Sequence, residues 1–366
     1  MMDAVIGDWQ ARIRAAAASK SPLRIRGGGS KDFYGGPATG DVLDTRAWSG
    51  IVDYDPTELV ITARAGTPLA EIEATMRASG QMLAFEPPHF GHGDGTAATL
   101  GGCVAAGLSG PRRPHGGAVR DLVLGVRILD GKGDDLAFGG RVMKNVAGFD
   151  VARLMTGALG TLGVLLEVSV KCLPLPKTET TRVFECPVAD AIRWSNAWAG
   201  QALPVSATCY HDGRLSVRLS GAGPAVKAAV ATLGGDGLAN PDAADIFWRG
   251  VRDHAHPYFA AAIAAGAPLW RLSVKPTAPH ADLGGEQLIE WGGALRWLIG
   301  GAPDDAARLR AWAREHGGHA TLFHAASRPR DPFHPLPPTI AALHRRLKAV
   351  FDPAGILNRG RLDPSF

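Results

Sequence analysis

The chain has 366 residues, 46% of them hydrophobic and 20% charged. That composition supports a sizeable core, excludes extensive disorder and, at roughly 100–200 residues per domain, points to two or three domains. The 39 Lys and Arg against 35 Asp and Glu leave a net charge of +4, too small and too scattered a surplus for a nucleic-acid binder.

In chain order, the N-terminal stretch carries charges at Asp3, Asp8, Arg12 and Arg14 and has no apolar signal core. No later window approaches the ~20 apolar residues of a membrane span. The most apolar one, Tyr258 to Trp270, is interrupted by Gly266 and Pro268. A cytoplasmic chain is the expectation. Up to about residue 175 the sequence is rich in glycine, with short β-like runs at 23–26, 58–64, 122–129 and 164–171. The last alternates apolar and polar residues from Leu166 onward, as a half-buried strand does. One helix is predicted here, with Thr67 as N-cap, Pro68 in the first helical position, Leu69, Ile72 and Met76 on one face, and Gly80 as its stop.

Past Leu173-Pro174-Leu175-Pro176 the texture changes. Runs at 180–186, 270–274 and 320–324 read as strands, and 205–211 with 214–219 as a hairpin across Asp212-Gly213. Stretches at 188–198, 222–233, 243–256 and 304–315 read as helices. This is the pattern of an α+β module with helices on one face of an antiparallel sheet. Five prolines within 328–338 mark a crossing loop, and 339–351 reads as a short helix ended by Asp352-Pro353-Ala354-Gly355.

Four segments carry the chemistry. Gly27-Gly28-Gly29 directly follow a strand; without Cβ atoms the backbone can turn its N–H groups inward as an anion nest, to which Ser30 adds a hydroxyl and Lys31 a charge. The spacing is neither that of a Walker A loop nor that of a Rossmann fingerprint, and a plain flexible turn is the competing reading. The small residues from Thr96 to Gly107 would let a bulky ligand approach the backbone; they would equally serve tight packing of a helix on a sheet. The third segment runs from Lys144-Asn145 through Gly157, Gly160 and Gly163 into Val164. The fourth is Phe351 to Arg361, containing Gly355-Ile356-Leu357-Asn358.

In this order the four segments resemble the FAD-binding domain of the vanillyl-alcohol oxidase, or PCMH-type, flavoprotein family. The strings GLSGPRRPHGGAVRDLVLGVRILDG and VMKNVAGFDVARLMTGALGTLGVLLEVSVK resemble the smaller FAD-binding subunits of bacterial glycolate oxidases. The resemblance implies a PCMH-type domain of two α/β subdomains over residues 1–175, an inserted antiparallel-sheet-and-helix cap over 176–335, and a C-terminal segment, 336–366, that returns to the first domain. It implies that Arg26, Gly27, Gly28, Gly29, Ser30 and Lys31 hold the FAD pyrophosphate. Thr96, Thr99, Leu100, Gly101 and Gly102 would border pyrophosphate and isoalloxazine, Gly163 and Val164 would reach the cofactor through their backbone, and Asn358 would lie near the flavin ring. Ser30 and Lys31 stand where some members carry a linking histidine, so FAD is expected to be noncovalent.

The implied activity is oxidation of glycolate to glyoxylate within a complex. A larger FAD subunit and an iron–sulfur subunit are the implied partners, and the membrane is met only through that complex. The four cysteines, Cys103, Cys172, Cys186 and Cys209, form no Cys-x-x-Cys pair and read as buried thiols, so a cluster would sit on another chain. Two other readings stand beside this one: a stand-alone FAD-dependent hydroxy-acid or alcohol oxidoreductase, and a non-catalytic assembly subunit. The Gly-Asp-Gly-Asn-x-His context of related dehydrogenases has no counterpart, since Gly93-Asp94-Gly95 is followed by Thr96. Arg112, Arg113 and His115 are candidates for binding a carboxylate or a partner, against the plainer reading of a solvated turn. His254, His256, His316, His319 and His324 raise a metal site, but without cysteine or a close carboxylate none is expected. Trp270, Trp291, Trp297 and Trp312 read as core, and His89 and His92 as loop residues.

Overall fold

The computed structural model describes residues 2–91, 97–140, 149–238, 240–300 and 305–365. It opens with a helix, Met2–Ser19, that the sequence reading passes over. Its signal is present in Ile6, Trp9, Ile13 and Ala16, which recur every three or four residues and are all buried. The strand Leu23–Arg26 follows and pairs in parallel with Asp41–Asp44.

A five-stranded antiparallel sheet forms the first layer, in the spatial order Ile51–Asp55, Val60–Arg64, Val164–Lys171, Val123–Leu129, Asp135–Gly139. Val164–Lys171 lies at its centre and is covered on both faces. Val164 and Leu166 pack with Trp9 and Ile13 of the N-terminal helix, while Leu165, Val168 and Val170 belong to the main core. That two-sided burial replaces the half-buried strand expected from its alternation.

The helix Leu69–Ala78 buries Leu69, Ile72 and Met76 as predicted, but its cap differs. Pro68 holds the N-cap position, with no side-chain cap. The Thr67 hydroxyl instead accepts from Gly50 N at 2.9 Å and donates to Gly50 O at 3.2 Å. Closing the turn at Gly50 takes the hydroxyl that would otherwise cap the helix.

The second layer is an eight-stranded antiparallel sheet, ordered Asp236–Gly237, Thr178–Glu185, Arg214–Gly221, Val205–His211, Gly285–Glu290, Leu295–Gly300, Leu269–Ser273, His319–His324. The predicted hairpin is present, with positive φ at Asp212 (48°) and Gly213 (74°), as a two-residue turn requires. Gly285–Glu290 and Leu295–Gly300 are strands the sequence reading misses; a one-turn 3-10 corner at Trp291–Gly293 joins them. Trp270, Trp291 and Trp297 are buried and Trp312 packs partly buried against the core. All four cysteines are buried thiols. No described helix is long and apolar enough to cross a membrane.

Two features join the layers. Tyr34, Phe90 and Leu108 from the first share a core with Trp248, Phe259 and Phe323 from the second. Beside it, the Glu86 carboxylate accepts from Arg112 N at 2.9 Å and Arg112 Nε at 3.3 Å, and lies 2.8 Å from the Arg218 guanidinium. Glu179 takes Arg112 Nη2 at 2.7 Å, so two carboxylates and two guanidiniums interlock across the junction.

The chain then returns to its beginning. Leu23 N donates to Ile356 O at 2.8 Å and Asn358 N to Leu23 O at 2.9 Å, which places Leu357 beside the first strand. A buried ion pair holds this return. Lys348 Nζ donates to Asp352 Oδ2 and to Thr161 O, each at 2.7 Å, and to Leu357 O at 2.9 Å. The Asp352 carboxylate in turn accepts from Ile356 N and Leu357 N.

Candidate FAD site

The glycine loop leaves the Leu23–Arg26 strand and turns at Gly29, whose φ is +81°. A Cβ at Gly28 would stand 1.6 Å from the Ala97 carbonyl oxygen, and one at Gly27 2.5 Å from the Thr99 hydroxyl. The loop thus lies flat against the start of the Leu100–Ala106 helix, in a stretch read from sequence as another glycine loop. Thr99 caps that helix by accepting from Gly102 N at 3.2 Å, and a Cβ at Gly101 would sit 2.7 Å from that of Ala65. Small residues therefore serve tight helix packing and, on the opposite side, open a cleft.

The cleft is walled largely by glycines and other small residues, so a bulky ligand can approach the backbone there. Gly27, Gly28, Gly29, Thr99, Gly101 and Gly102 line it on one side; Gly163 and Asn358 line it on another. Arg26, Ser30 and Lys31 also reach it. Leu100 and Val164 do not, their side chains being buried in the two cores beneath. Thr96 lies outside the described residues, as do His92, the Gly93-Asp94-Gly95 string and the Lys144–Gly148 part of the third segment.

Charge decides what the cleft can hold. Among the described lining residues, Arg24, Arg26, Lys31 and Arg361 face a single carboxylate, Asp32. Asp32 Oδ2 accepts from Arg24 Nη2 and Arg26 Nε, each at 2.7 Å. The buried Arg361 guanidinium donates to the carbonyls of Lys31, Asp32 and Gly36 at 3.0 Å, and burial pushes its pKa down to about 10. Lys31 has no ion-pair partner among the described residues; its ammonium lies 5.4 Å over the Phe90 ring, and burial lowers its pKa. A desolvated cation beside a Cβ-free backbone is the arrangement a diphosphate satisfies. The residues present therefore fit the pyrophosphate of FAD. Sequence reasoning leaves out Arg24 and Arg361, although Arg24 could have been found from its two-residue spacing to Arg26 on the same strand.

Asn358 adopts φ +42°. Its Oδ1 accepts from Ile25 N at 2.7 Å and its Nδ2 donates to Leu159 O at 2.6 Å. Both polar ends are spent on fixing the strand that feeds the glycine loop, so Asn358 shapes the cleft wall.

Arg112, Arg113 and His115 do not line the cleft. Arg112 is bound into Glu86 and Glu179, Arg113 lies 4.5 Å over the Trp291 ring, and His115 is exposed. His254 stacks on Phe259 and His316 on Trp312. No cluster of potential metal ligands occurs among the described residues.

A second, smaller pocket lies between the layers, with Arg271 and Glu290 on its walls. Glu290 is 3% exposed and one of its carboxylate oxygens accepts from Trp297 Nε1 at 2.8 Å. Burial pushes its pKa from 4.5 up to about 7, against the pull of the Trp297 hydrogen bond and the Arg271 charge. Because the folded-state value is the higher one, ionising Glu290 costs the fold. Stability is full below the ordinary carboxylate pKa, falls as pH rises toward 7, and is level above it. Glu290→Gln keeps an oxygen for Trp297 and removes that cost. Denaturant unfolding near pH 8 is expected to show the variant about 3 kcal/mol more stable than the parent, with the two within about 1 kcal/mol near pH 5.

Comparison with known proteins agrees with this geometry. Residues 6–138 match the FAD binding domain family. The chain is 48% identical to the glycolate oxidase subunit GlcE of Escherichia coli (strain K12) over 351 residues, covering 96% of this chain and 95% of that one. It is 32% identical to the glycolate oxidase subunit GlcD of Bacillus subtilis (strain 168), over 56% of this chain and 45% of the relative. A solved structure of alkyldihydroxyacetonephosphate synthase superposes with a TM-score of 0.63 at 15% identity, covering 95% of this chain and 74% of that one, which shows a shared fold. The chain is an FAD-binding oxidoreductase and belongs to the family of the glycolate oxidase subunit GlcE.

Proposed function

We propose that this chain is an FAD-binding subunit of a complex that oxidises glycolate to glyoxylate and passes the electrons to an iron–sulfur partner, alongside a larger FAD subunit. The observation that carries this reading is the cationic cleft between the glycine loop and Arg361, in a chain that matches GlcE nearly end to end. Residues 1–175 with 336–366 form the FAD-binding domain and 176–335 the cap. FAD supplies a two-electron acceptor that takes hydride from an alcohol carbon. The chain's own residues do the rest. Backbone amides of Gly27, Gly28 and Gly29, with Ser30 and Lys31, neutralise and orient the pyrophosphate; Thr99, Gly101 and Gly102 let the cofactor lie close on the helix. Asn358, which bonds Ile25 N and Leu159 O, would hold the cleft wall in shape for the cofactor.

Attachment of FAD is noncovalent. Ser30 and Lys31 occupy the linking position, and the neighbouring Cys103 thiol is buried with its pKa pushed up to about 12, out of reach as a nucleophile. Acid precipitation is expected to leave a colourless pellet and a yellow supernatant; a yellow pellet would show a covalent bond. The functional test is an anaerobic glycolate titration of the chain purified with its partner subunits, following the visible flavin band. Bleaching is expected. A chain that purifies without FAD and takes none up, or a complex whose flavins glycolate never bleaches, overturns the reading.

A further inference from the structure

Beyond the cofactor cleft, between the two layers, lies a small pocket that holds Arg271 and Glu290. The two cavities are joined along one piece of chain. Ala105 and Ala106 line the cleft, and Leu108, Ser109 and Gly110 line the pocket.

Arg271 projects from the Leu269–Ser273 strand, paired with Trp297 on the neighbouring strand. Its guanidinium lies 5.2 Å over the Trp291 ring and 6.0 Å over Trp297. Among the described residues it makes no ion pair and no hydrogen bond, although burial disfavours its charge. A desolvated guanidinium held only by ring faces leaves five N–H donors short of an acceptor. Glu290 stands on the same pocket with one oxygen on Trp297 and no salt-bridge contact to Arg271. The site thus holds a cation lacking an anion, and a carboxylate with acceptor capacity to spare, kept apart by a gap.

The remaining walls set the size and charge of what fills that gap. Phe90, Leu108, Trp297 and Phe323 are apolar. Arg252, the other cation on the wall, is already forked onto Asp253 at 3.1 and 2.7 Å, so a second carboxylate finds no partner.

We propose that Arg271 and Glu290 form this chain's own binding site for a small 2-hydroxy monocarboxylate, with Arg271 taking the carboxylate as a fork and Glu290 accepting the hydroxyl. This rests on the proposed reading of the chain as a subunit acting on such an acid. It goes further in placing a ligand site on this chain, on residues outside the Arg112-Arg113-His115 loop.

The test is isothermal calorimetry on the full FAD-loaded chain, with FAD content and melting temperature recorded for every variant. Glycolate is expected to bind at least about tenfold more tightly than acetate, which lacks the hydroxyl, and than malate, which adds a carboxylate. Arg271→Met is expected to weaken glycolate binding about thirtyfold or more, and Arg271→Lys, which keeps the charge and loses the fork, by less. Glu290→Ala is expected to erase the preference over acetate. Arg193→Met, on an exposed helix surface, leaves all affinities unchanged. No saturable glycolate binding to the parent chain, or equal binding by both Arg271 variants and the parent, overturns the site. An anaerobic titration of the assembled complex separates the two failures. If glycolate bleaches the complex yet does not bind this chain, the site falls and the functional reading survives. If the complex is never bleached while Arg271-dependent binding persists, the site survives and the reading falls.

Discussion

Replacing Glu86 with alanine is expected to destabilise the protein by about 3–5 kcal/mol, the cost of leaving buried charge without its partner. Glu86 is half-buried, but the groups it holds are more enclosed: the side chains of Arg218 and Arg112 are 4% and 10% exposed. Burial raises the Glu86 pKa, yet Arg218 and Arg112 together more than reverse this and leave it below the ordinary value. The alanine variant removes the only carboxylate within 3.5 Å of Arg218 among the described residues, since Glu179 approaches Arg218 Nε only to 3.9 Å. Because Glu86 comes from the first layer and Arg218 from the second, the loss falls on their junction. Denaturant unfolding checks the size of the effect. Glu86→Gln keeps the acceptor and is expected to lose less, about 1–2 kcal/mol. The depressed pKa also sets the direction with pH: this stabilisation is present above the ordinary carboxylate pKa and is lost as pH falls below it.

Gly28→Ala is expected to lower FAD affinity at least tenfold, roughly, read as flavin absorbance per protein after dialysis. The added methyl would meet the Ala97 carbonyl oxygen at 1.6 Å, and its carbonyl carbon at 2.6 Å. Backbone on both sides leaves no flexible side chain to yield, so the loop must lift from the helix and its amides lose their aim. Gly7→Ala is the control. It lies on the N-terminal helix with nothing within 4 Å of the added carbon, and should leave FAD content unchanged while adding a little stability through helix propensity.

Much of this molecule can be read from its residues. The runs 23–26 and 164–171 coincide with the observed strands: the first is bracketed by Pro22 and Gly27, and the second follows Gly163 and is rich in valine. The glycine loop is legible as a segment that can approach a ligand closely, since three successive residues lack a Cβ, though a plain turn reads the same way in one dimension. What escapes has physical reasons. The Gly285–Glu290 and Leu295–Gly300 strands are separated only by Trp-Gly-Gly, where Trp291 itself takes φ +56°, a turn no tryptophan signals. Leu100–Ala106 hides as a helix because two of its first three residues are glycines, tolerated for the close approach to Ala65. Arg271 and Glu290 are illegible in one dimension. An arginine inside a strand and a glutamate at the end of another become a site only when the eight-stranded sheet sets them on one pocket.

The closing of the cleft by Asn358 and Arg361 also bears on biosynthesis. Ile25 N and the Asn358 side chain that binds it are 333 residues apart in sequence. A nascent chain therefore carries the edge of its first strand uncovered through synthesis of the whole second layer, and the glycine loop has no finished wall to rest against. The cleft is therefore complete only once the returning segment has docked, which brings Asn358 and Arg361 to its wall.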